Sequence, residues 1–296
     1  MIIQEALIQA VSKYGKEVLA DSQLLSIIDD FHGFEEMPAA RYILKLLQKN
    51  GCIDRIIDED DFTQMRVLLM AQKLNYLFGY DTKMVEQIIK SLNTAIIANL
   101  STEVKKEDFA NARKDDTRTY YSKDGLRLLH SRENLKIHYT IAQNTQVICD
   151  EAFDEGWRWF SKSAECDEGF SLNSVVIPDS VLKIGDRAFA SCVFLKEVTL
   201  PQKLVFIGEA AFSSCSSLQI ITFPESLVHI CDRAYDGCSS LQTIVFRECL
   251  AHIGNNAFRG CYSLSTIFIP GGTRSHFEKQ LPNELHHIII EMNQQT

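Results

Sequence analysis

A repeat of 23 residues runs through the second half of this 296-residue chain and limits its possible folds more than any other feature. Six positions of the repeat hold the same or a similar residue in four successive copies. These positions are Ile184, Ile207, Ile230 and Ile253; Gly185, Gly208, Cys231 and Gly254; Ala188, Ala211, Ala234 and Ala257; Phe189, Phe212, Tyr235 and Phe258; Cys192, Cys215, Cys238 and Cys261; and Leu195, Leu218, Leu241 and Leu264. One such unit is too small to bury its own apolar sides, so the sequence predicts units stacked into a solenoid.

Each unit contains a short strand followed by a corner. In the segment from Leu195 to Pro201, Val198 and Leu200 alternate with polar residues, which is typical of a strand with one face inward. The proline ends the strand because it lacks a backbone donor. The glycine that follows, such as Gly208, is expected to turn the chain with a positive φ.

The pattern I-G-x-x-A-F-x-x-C-x-x-L, with its period of 23 and the proline after the strand, resembles the BspA-like leucine-rich repeats of bacteria over about residues 118–291. The resemblance implies a solenoid of about five coils with a parallel β-sheet face. It also implies protein or cell-surface binding, since BspA-like proteins are often surface adhesins. The asparagine ladder of the better known leucine-rich pattern is absent.

Both ends of the repeat region are irregular. Residues 141–153 match residues 177–189 at an offset of 36, which indicates a 13-residue insertion after Phe153. Before them, TYYSKDGLRLLHS predicts a hairpin around Lys123, Asp124 and Gly125. Beyond Pro270 the sequence predicts a short helix and a final strand that close the stack.

Residues 1–100 follow a different pattern, with apolar residues at helical spacing. They predict a bundle of five or six helices. Residues 101–118 are rich in charge and predict a linker or a solvated helix. The expected fold is therefore α+β in two domains: an all-α bundle at 1–100, a charged linker at 101–118, and a leucine-rich-repeat solenoid with a parallel sheet face at 119–291.

Charge and hydropathy exclude some functions. The net charge is -9, and no run of Lys or Arg exceeds two residues, so neither nucleic acid nor a polybasic membrane contact is expected. No apolar run reaches the roughly 18 to 20 residues of a membrane helix. The N-terminus lacks the features of a signal peptide, which predicts a cytoplasmic protein with reduced cysteines. A surface or secreted location would require that a leader had been removed.

The four cysteines of the repeat allow two interpretations. Successive coils would place them in a row in which thiolates could bind a soft metal. Zinc, however, needs ligands that converge tetrahedrally, and parallel side chains in a row do not. The cysteines also alternate with core residues, which favours small buried hydrophobes and predicts neither a metal nor a cofactor. Disulfides along the row would need suitable geometry and an oxidising compartment.

The copy CDRAYDGCSS at residues 231–240 looks like a catalytic cluster but fits the repeat. Cys231 replaces a glycine, and Asp232 is expected at a variable, outward position. Tyr235 replaces a phenylalanine, and its hydroxyl is expected at the core edge or on a hydrogen-bond partner. His229 and His252 share one repeat position with Lys183 and Phe206, which predicts an outward column. No catalytic motif occurs, so we expect no enzyme.

Two candidate binding surfaces remain. One is the outward side of the strands, here called the outer face, in which only one residue in ten is charged. Its first column is Ser174, Glu197, Ile220, Thr243 and Thr266, and its second column is Val176, Thr199, Thr222, Val245 and Phe268. Solenoids bind proteins on such faces. Alternatively, the β-branched residues reflect strand propensity alone.

The other candidate is the insertion, which carries Trp157, Trp159 and Phe160. Aromatic residues on a loop often anchor an interface. The alternative is that this loop packs on the fold and covers an apolar edge. Together these features predict a non-enzymatic scaffold or adaptor with a protein partner. The alternatives are a surface adhesin and, with no motif behind it, an enzyme whose site lies in the helical domain.

Overall fold

A computed structural model describes residues 3–31, 33, 39–49, 81–117, 119–131, 138–154, 172–248 and 250–292. The chain divides into two compact units, Met1–Leu100 and Ser101–Thr296. The first is helical, and the second is a solenoid of parallel strands. This confirms the predicted α+β fold with N-terminal helices and a repeat solenoid.

The N-terminal unit buries one apolar stripe of each helix. Its described helices are α1 (Ile3–Tyr14), a 3-10 helix (Lys16–Leu19), α2 (Leu24–Asp30), α3 (Ala39–Lys49) and α4 (Thr82–Ala98). Leu7, Ile28, Leu44 and Leu92 are fully buried in their common core. The Asp81 carboxylate accepts a hydrogen bond from the Met84 amide and caps α4.

The C-terminal unit begins inside the segment that was predicted as a linker. Helix α5 (Lys106–Ala110) and strand β1 (Arg113–Lys114) lie in it, and β1 pairs antiparallel with β2 (Thr119–Tyr121). The Glu103 carbonyl accepts from the Arg127 guanidinium. Most of the described charged residues that suggested a solvated linker are exposed, and backbone pairing supplies the order that composition did not indicate.

Three sheets of strands form the two walls of the solenoid. One sheet has the order β1-β2-β3-β5-β7-β9-β11-β13, and its strands after β2 are β3 (Arg127–Ser131), β5 (Val147–Ile148), β7 (Lys183–Ile184), β9 (Phe206–Ile207), β11 (His229–Ile230) and β13 (His252–Ile253). The other wall consists of β4 (His138–Thr140), β6 (Ser174–Val176) and β8 (Glu197–Thr199), then β10 (Ile220–Phe223), β12 (Thr243–Phe246), β14 (Thr266–Pro270) and β15 (Ile289–Met292).

Aromatic rings and thiols fill the space between the walls. The ring centroids of Phe153, Phe189, Phe212 and Tyr235 follow one another at 4.8, 5.0 and 5.1 Å in stacked geometry. Beside them, each repeat cysteine donates to the carbonyl of the aromatic residue one coil earlier, as Cys215 Sγ does to Phe189 O at 3.2 Å. The same bond occurs from Cys192, Cys238 and Cys261.

The Tyr235 hydroxyl does not reach the core edge, which corrects the prediction. Its side chain is fully buried, and its oxygen has no hydrogen-bond partner in the described residues. The ring is held between Phe212 and Phe258, so the hydroxyl cannot tilt toward water. An unpaired buried hydroxyl costs about 1–3 kcal/mol.

Replacing Tyr235 with phenylalanine is therefore expected to raise the free energy of unfolding by about 1–2 kcal/mol. Urea denaturation followed by circular dichroism measures this. The matched control is Tyr121→Phe, because the Tyr121 hydroxyl contacts the Tyr139 hydroxyl at 2.6 Å and its loss should destabilise. Destabilisation by Tyr235→Phe would show that its hydroxyl has a partner.

The repeat glycines have a different role from the one predicted. At this corner, positive φ occurs not at the glycine position but two residues later, at Arg187, Ala210, Arg233 and Asn256. A Cβ on Gly208 would lie 2.6 Å from the Gly185 carbonyl carbon and 2.7 Å from the Asp186 nitrogen. At Gly185, Gly208 and Gly254 the absence of a Cβ allows the backbone of the preceding coil to come close, whereas Cys231 occupies the same repeat position in another coil.

At three junctions, a carboxylate next to this corner joins one coil to the following one. Asp150 Oδ1 accepts from the Asp186 amide, and Asp186 Oδ1 accepts from the Glu209 amide, both at 2.7 Å. Asp232 Oδ1 likewise accepts from the Asn255 amide at 2.7 Å. Asp232 is exposed as predicted, but its side chain also satisfies a backbone donor of the next coil.

Side chains close the last coil. Helix α6 (Arg274–Glu278) places the Phe277 ring 4.7 Å from the Phe246 ring. The Gln280 side chain accepts from the Ile253 amide and donates to the Leu250 carbonyl. A glutamine amide carries the same donor and acceptor as a peptide group, so it replaces the next strand of the ladder. A 3-10 helix (Asn283–Ile288) then leads to β15.

Candidate binding face

Strand alternation points every second side chain of the β6 to β14 wall outward. Val175, Ile221, Ile244 and Ile267 point inward and are buried. The residues on either side of them point away from the core and form the outer face.

Register aligns these outward residues into columns along the solenoid. Ser174 pairs with Glu197, and Val176 pairs with Thr199. Beyond them, the remaining pairs are Ile220 with Thr243, Thr222 with Val245, Thr243 with Thr266, and Val245 with Phe268. Strands β8 and β10 lie side by side but belong to separate ladders, so each column has two hydrogen-bonded segments.

The columns extend past the residues found from sequence. His138 and Thr140 pair with Ser174 and Val176 at one end, and Ile290 pairs with Phe268 at the other. These three lie outside the 23-residue copies, which is why the period did not find them. The alternation in H-Y-T and I-I-E was the available signal.

The outer face exposes large aliphatic side chains to solvent. The exposed fraction is 57% for Ile220, 51% for Val176 and 49% for Ile290. Hydroxyls of Thr199 and Thr222 lie between the aliphatic residues, and Glu197 is the single charged residue among the ten. This surface can bury apolar area and form hydroxyl hydrogen bonds, but it offers little ionic recognition.

The edges of the outer face differ in charge. The exposed residues one to three positions after the strands are Asp179, Gln202, Glu225, Arg247 and Glu248. The Asp179 carboxylate also accepts a hydrogen bond from the Gln202 amide at 2.8 Å. The residues directly before the strands are Asn173, Lys196, Gln219, Gln242 and Ser265. The first edge, which we call the acidic rim, therefore carries three acids and one arginine, whereas the second carries mainly amides.

The opposite wall does not form the predicted outward column. Lys183 and His229 are only 8% exposed, Phe206 is half-buried, and His252 is exposed. Lys183 Nζ lies 4.9 Å from the Phe206 ring centroid, and the His229 ring centroid is 5.8 Å from those of Phe206 and His252. Burial lowers the pKa of Lys183, and burial together with His252 lowers the pKa of His229 to about 4.

A shallow cleft of about 370 Å³ borders this wall. Its lining includes Lys183, Asp186, Glu209, Cys231 and His252. Burial and the neighbouring Asp186 carboxylate raise the pKa of the Cys231 thiol to about 12, so this cysteine is a poor nucleophile at neutral pH.

The cysteine row has the properties of a core. Burial raises the pKa of Cys215 and Cys261, and the thiols donate to backbone carbonyls as described above. Across the described ranges, no group of three or more His, Cys, Asp or Glu residues is arranged to hold a metal ion. The arrangement matches the interpretation of these cysteines as small buried hydrophobes.

Trp157, Trp159 and Phe160 lie outside the described residues. The outer face is the candidate site that lies within the described residues.

Comparison with known proteins identifies the repeat. A family model described as BspA type leucine rich repeat region matches residues 163–280 in 6 copies. No curated protein matches the chain. In the described part of the chain, no helix is both long enough and apolar enough to cross a membrane.

Several solved structures are similar to this chain. A leucine rich cell surface protein from Faecalibacterium prausnitzii is 26% identical, with a TM-score of 0.48, over 62% of this chain and 45% of that one. A leucine rich repeat protein of T. pallidum is also 26% identical, with a TM-score of 0.42, over 57% and 72%. A leucine-rich repeat protein from Eubacterium ventriosum is 19% identical, with a TM-score of 0.41, over 60% and 44%. The match thus covers less than half of the first and third of these chains.

Proposed function

Because its repeat region belongs to the BspA-type leucine-rich repeats, we propose that this chain is a non-enzymatic scaffold that binds another protein through the outer face. The observation that carries the proposal is the pair of aligned, solvent-exposed columns with one charged residue among ten. The inward residues Val175, Ile221, Ile244 and Ile267 of this wall are buried and Val198 is partly buried, so the fold does not require aliphatic residues outside.

Strand propensity explains only part of this surface. Threonine favours strands about as well as valine and isoleucine do and keeps a polar group in water. Yet three outward positions that threonine could occupy with similar strand propensity hold aliphatic residues that are about half exposed, namely Val176, Ile220 and Ile290. Exposed aliphatic residues that align across coils are typical of surfaces that bind a partner.

We propose that the partner is met in a reducing compartment, as expected for a cytoplasmic protein. The six cysteines in the described residues form no disulfide. Proteins of oxidising compartments commonly use such cysteines as disulfides.

The test is affinity capture with the full chain from cytoplasmic and secreted fractions of the source cells, analysed by mass spectrometry. We expect a protein from the cytoplasmic fraction to bind the wild type. The captured amount should fall at least tenfold with the double variant Ile220→Lys and Phe268→Lys, because each lysine would bury a charge at the interface at a cost of more than 1 kcal/mol.

The matched control is Tyr262→Lys, a change at a residue that is 90% exposed and lies off the outer face. It should leave capture unchanged. Equal capture by the double variant would refute the outer face as the binding site. A face-dependent partner found only in the secreted fraction would favour an adhesin.

A further inference from the structure

The spacing of the outer face restricts which element of a partner can follow its columns. Rings on successive coils are 4.8 to 5.1 Å apart, so the five strands that carry the outer face span about 20 Å. Four turns of an α-helix rise about 22 Å, which keeps its apolar stripe within about 2 Å of register. An extended chain places residues on the same side about every 6.6 Å, so it loses register with the coils of the outer face after two of them.

The size of the outer face also limits its occupant. Its two columns are about 7 Å apart, so with their side chains they offer roughly 300 Å². A stable dimer buries about 800 Å² on each partner. This face alone is therefore too small for a second copy of the chain, whereas one helix of about 15 residues covers its length.

Charge complementarity determines which helix fits. The columns are nearly neutral, and the acidic rim carries Asp179, Glu225 and Glu248 along one side. The opposite edge offers the amides of Gln219 and Gln242. The net charge of -9 adds a long-range attraction for basic partners.

We propose that the partner lays an amphipathic α-helix along the outer face, with a neutral apolar stripe over the two columns and Lys or Arg residues beside the acidic rim. This inference rests on the proposed protein-binding function and adds the chemistry of the partner. The helix enters as a ridge between the columns, in the manner of helix-in-groove recognition.

A random library of displayed 18-residue peptides tests this. Peptides are selected on the full chain, and those that also bind the Ile220→Lys variant are discarded. We expect the retained peptides to carry apolar residues at i, i+3, i+4 and i+7 with basic residues on one flank. Their affinity should fall about three- to tenfold with Glu225→Lys, as for a rim charge pair, and stay unchanged with Tyr262→Lys.

Other outcomes contradict the helix. Retained peptides with strict alternation of apolar residues would indicate an added strand, and an acidic flank would contradict the charge argument. A dimer in sedimentation velocity that Ile220→Lys abolishes would identify a second copy as the occupant. If cell proteins bind the outer face but no helical peptide is retained, the helix is wrong and the protein-binding function stands. If neither binds, both are wrong.

Discussion

Replacing Gly208 with alanine is expected to lower the free energy of unfolding by about 3 kcal/mol, the upper range for an overpacked site. The added methyl would meet the Gly185 carbonyl carbon at 2.6 Å and the Asp186 nitrogen at 2.7 Å. Both atoms belong to the backbone of the preceding coil, so no rotamer change can relieve the contact. The coils would have to move apart and weaken the ladder between β7 and β9.

Gly272→Ala is the matched control, because it separates crowding from backbone conformation. Gly272 has a φ of +77°, and nothing lies within 4 Å of an added Cβ. The left-handed conformation alone should cost about 1–2 kcal/mol. Urea denaturation and hydrogen exchange of both variants provide the comparison. A larger loss for Gly272→Ala than for Gly208→Ala would refute close approach as the reason for the repeat glycines.

The second large effect is a loss of stability in acid that depends on His229. Its pKa is lowered to about 4 in the folded chain, against about 6.5 when unfolded. Below pH 6.5 the unfolded chain therefore binds a proton that folded His229 does not. As the pH is lowered, this difference therefore reduces the free energy of unfolding, by about 2 kcal/mol at pH 5 and by about 3 kcal/mol at pH 4.

The variant His229→Phe removes this contribution and resembles Phe206, its counterpart one coil earlier. Urea midpoints at pH 7 and pH 5 should therefore differ less in the variant than in the wild type. The exposed His287 provides the control, since His287→Asn removes a histidine of the same unit and leaves the His229 site intact. Equal pH dependence in wild type and His229→Phe would show that His229 binds its proton in the folded state.

Much of the solenoid followed from its period. Six matched positions at a step of 23 residues were sufficient to predict the stack, the inward residues and the two columns of the outer face, because period and strand alternation together define where a side chain points. The site itself remains a prediction, since register places Ile220 and Phe268 on one surface without showing what binds there.

Contacts between coils could not be predicted in the same way. The glycine position was correctly singled out, but its reason is the distance to the preceding coil and not its own φ. The carboxylate of Asp186 satisfies an amide 23 residues later, and Gln280 satisfies one 27 residues earlier. Such partners are far apart in sequence, and a single sequence contains no signal that joins them.

The carboxylates that link coils at three junctions have a consequence for how such a chain can change in length. Asp186 in one coil and Asp232 in a later one make the same bond to the coil that follows them. A further copy that carries aspartate at this position would therefore bring its own acceptor for the amide of the coil that follows it. Evolution can lengthen the outer face in steps of about 5 Å while only two outward residues per unit need to adapt to a new partner.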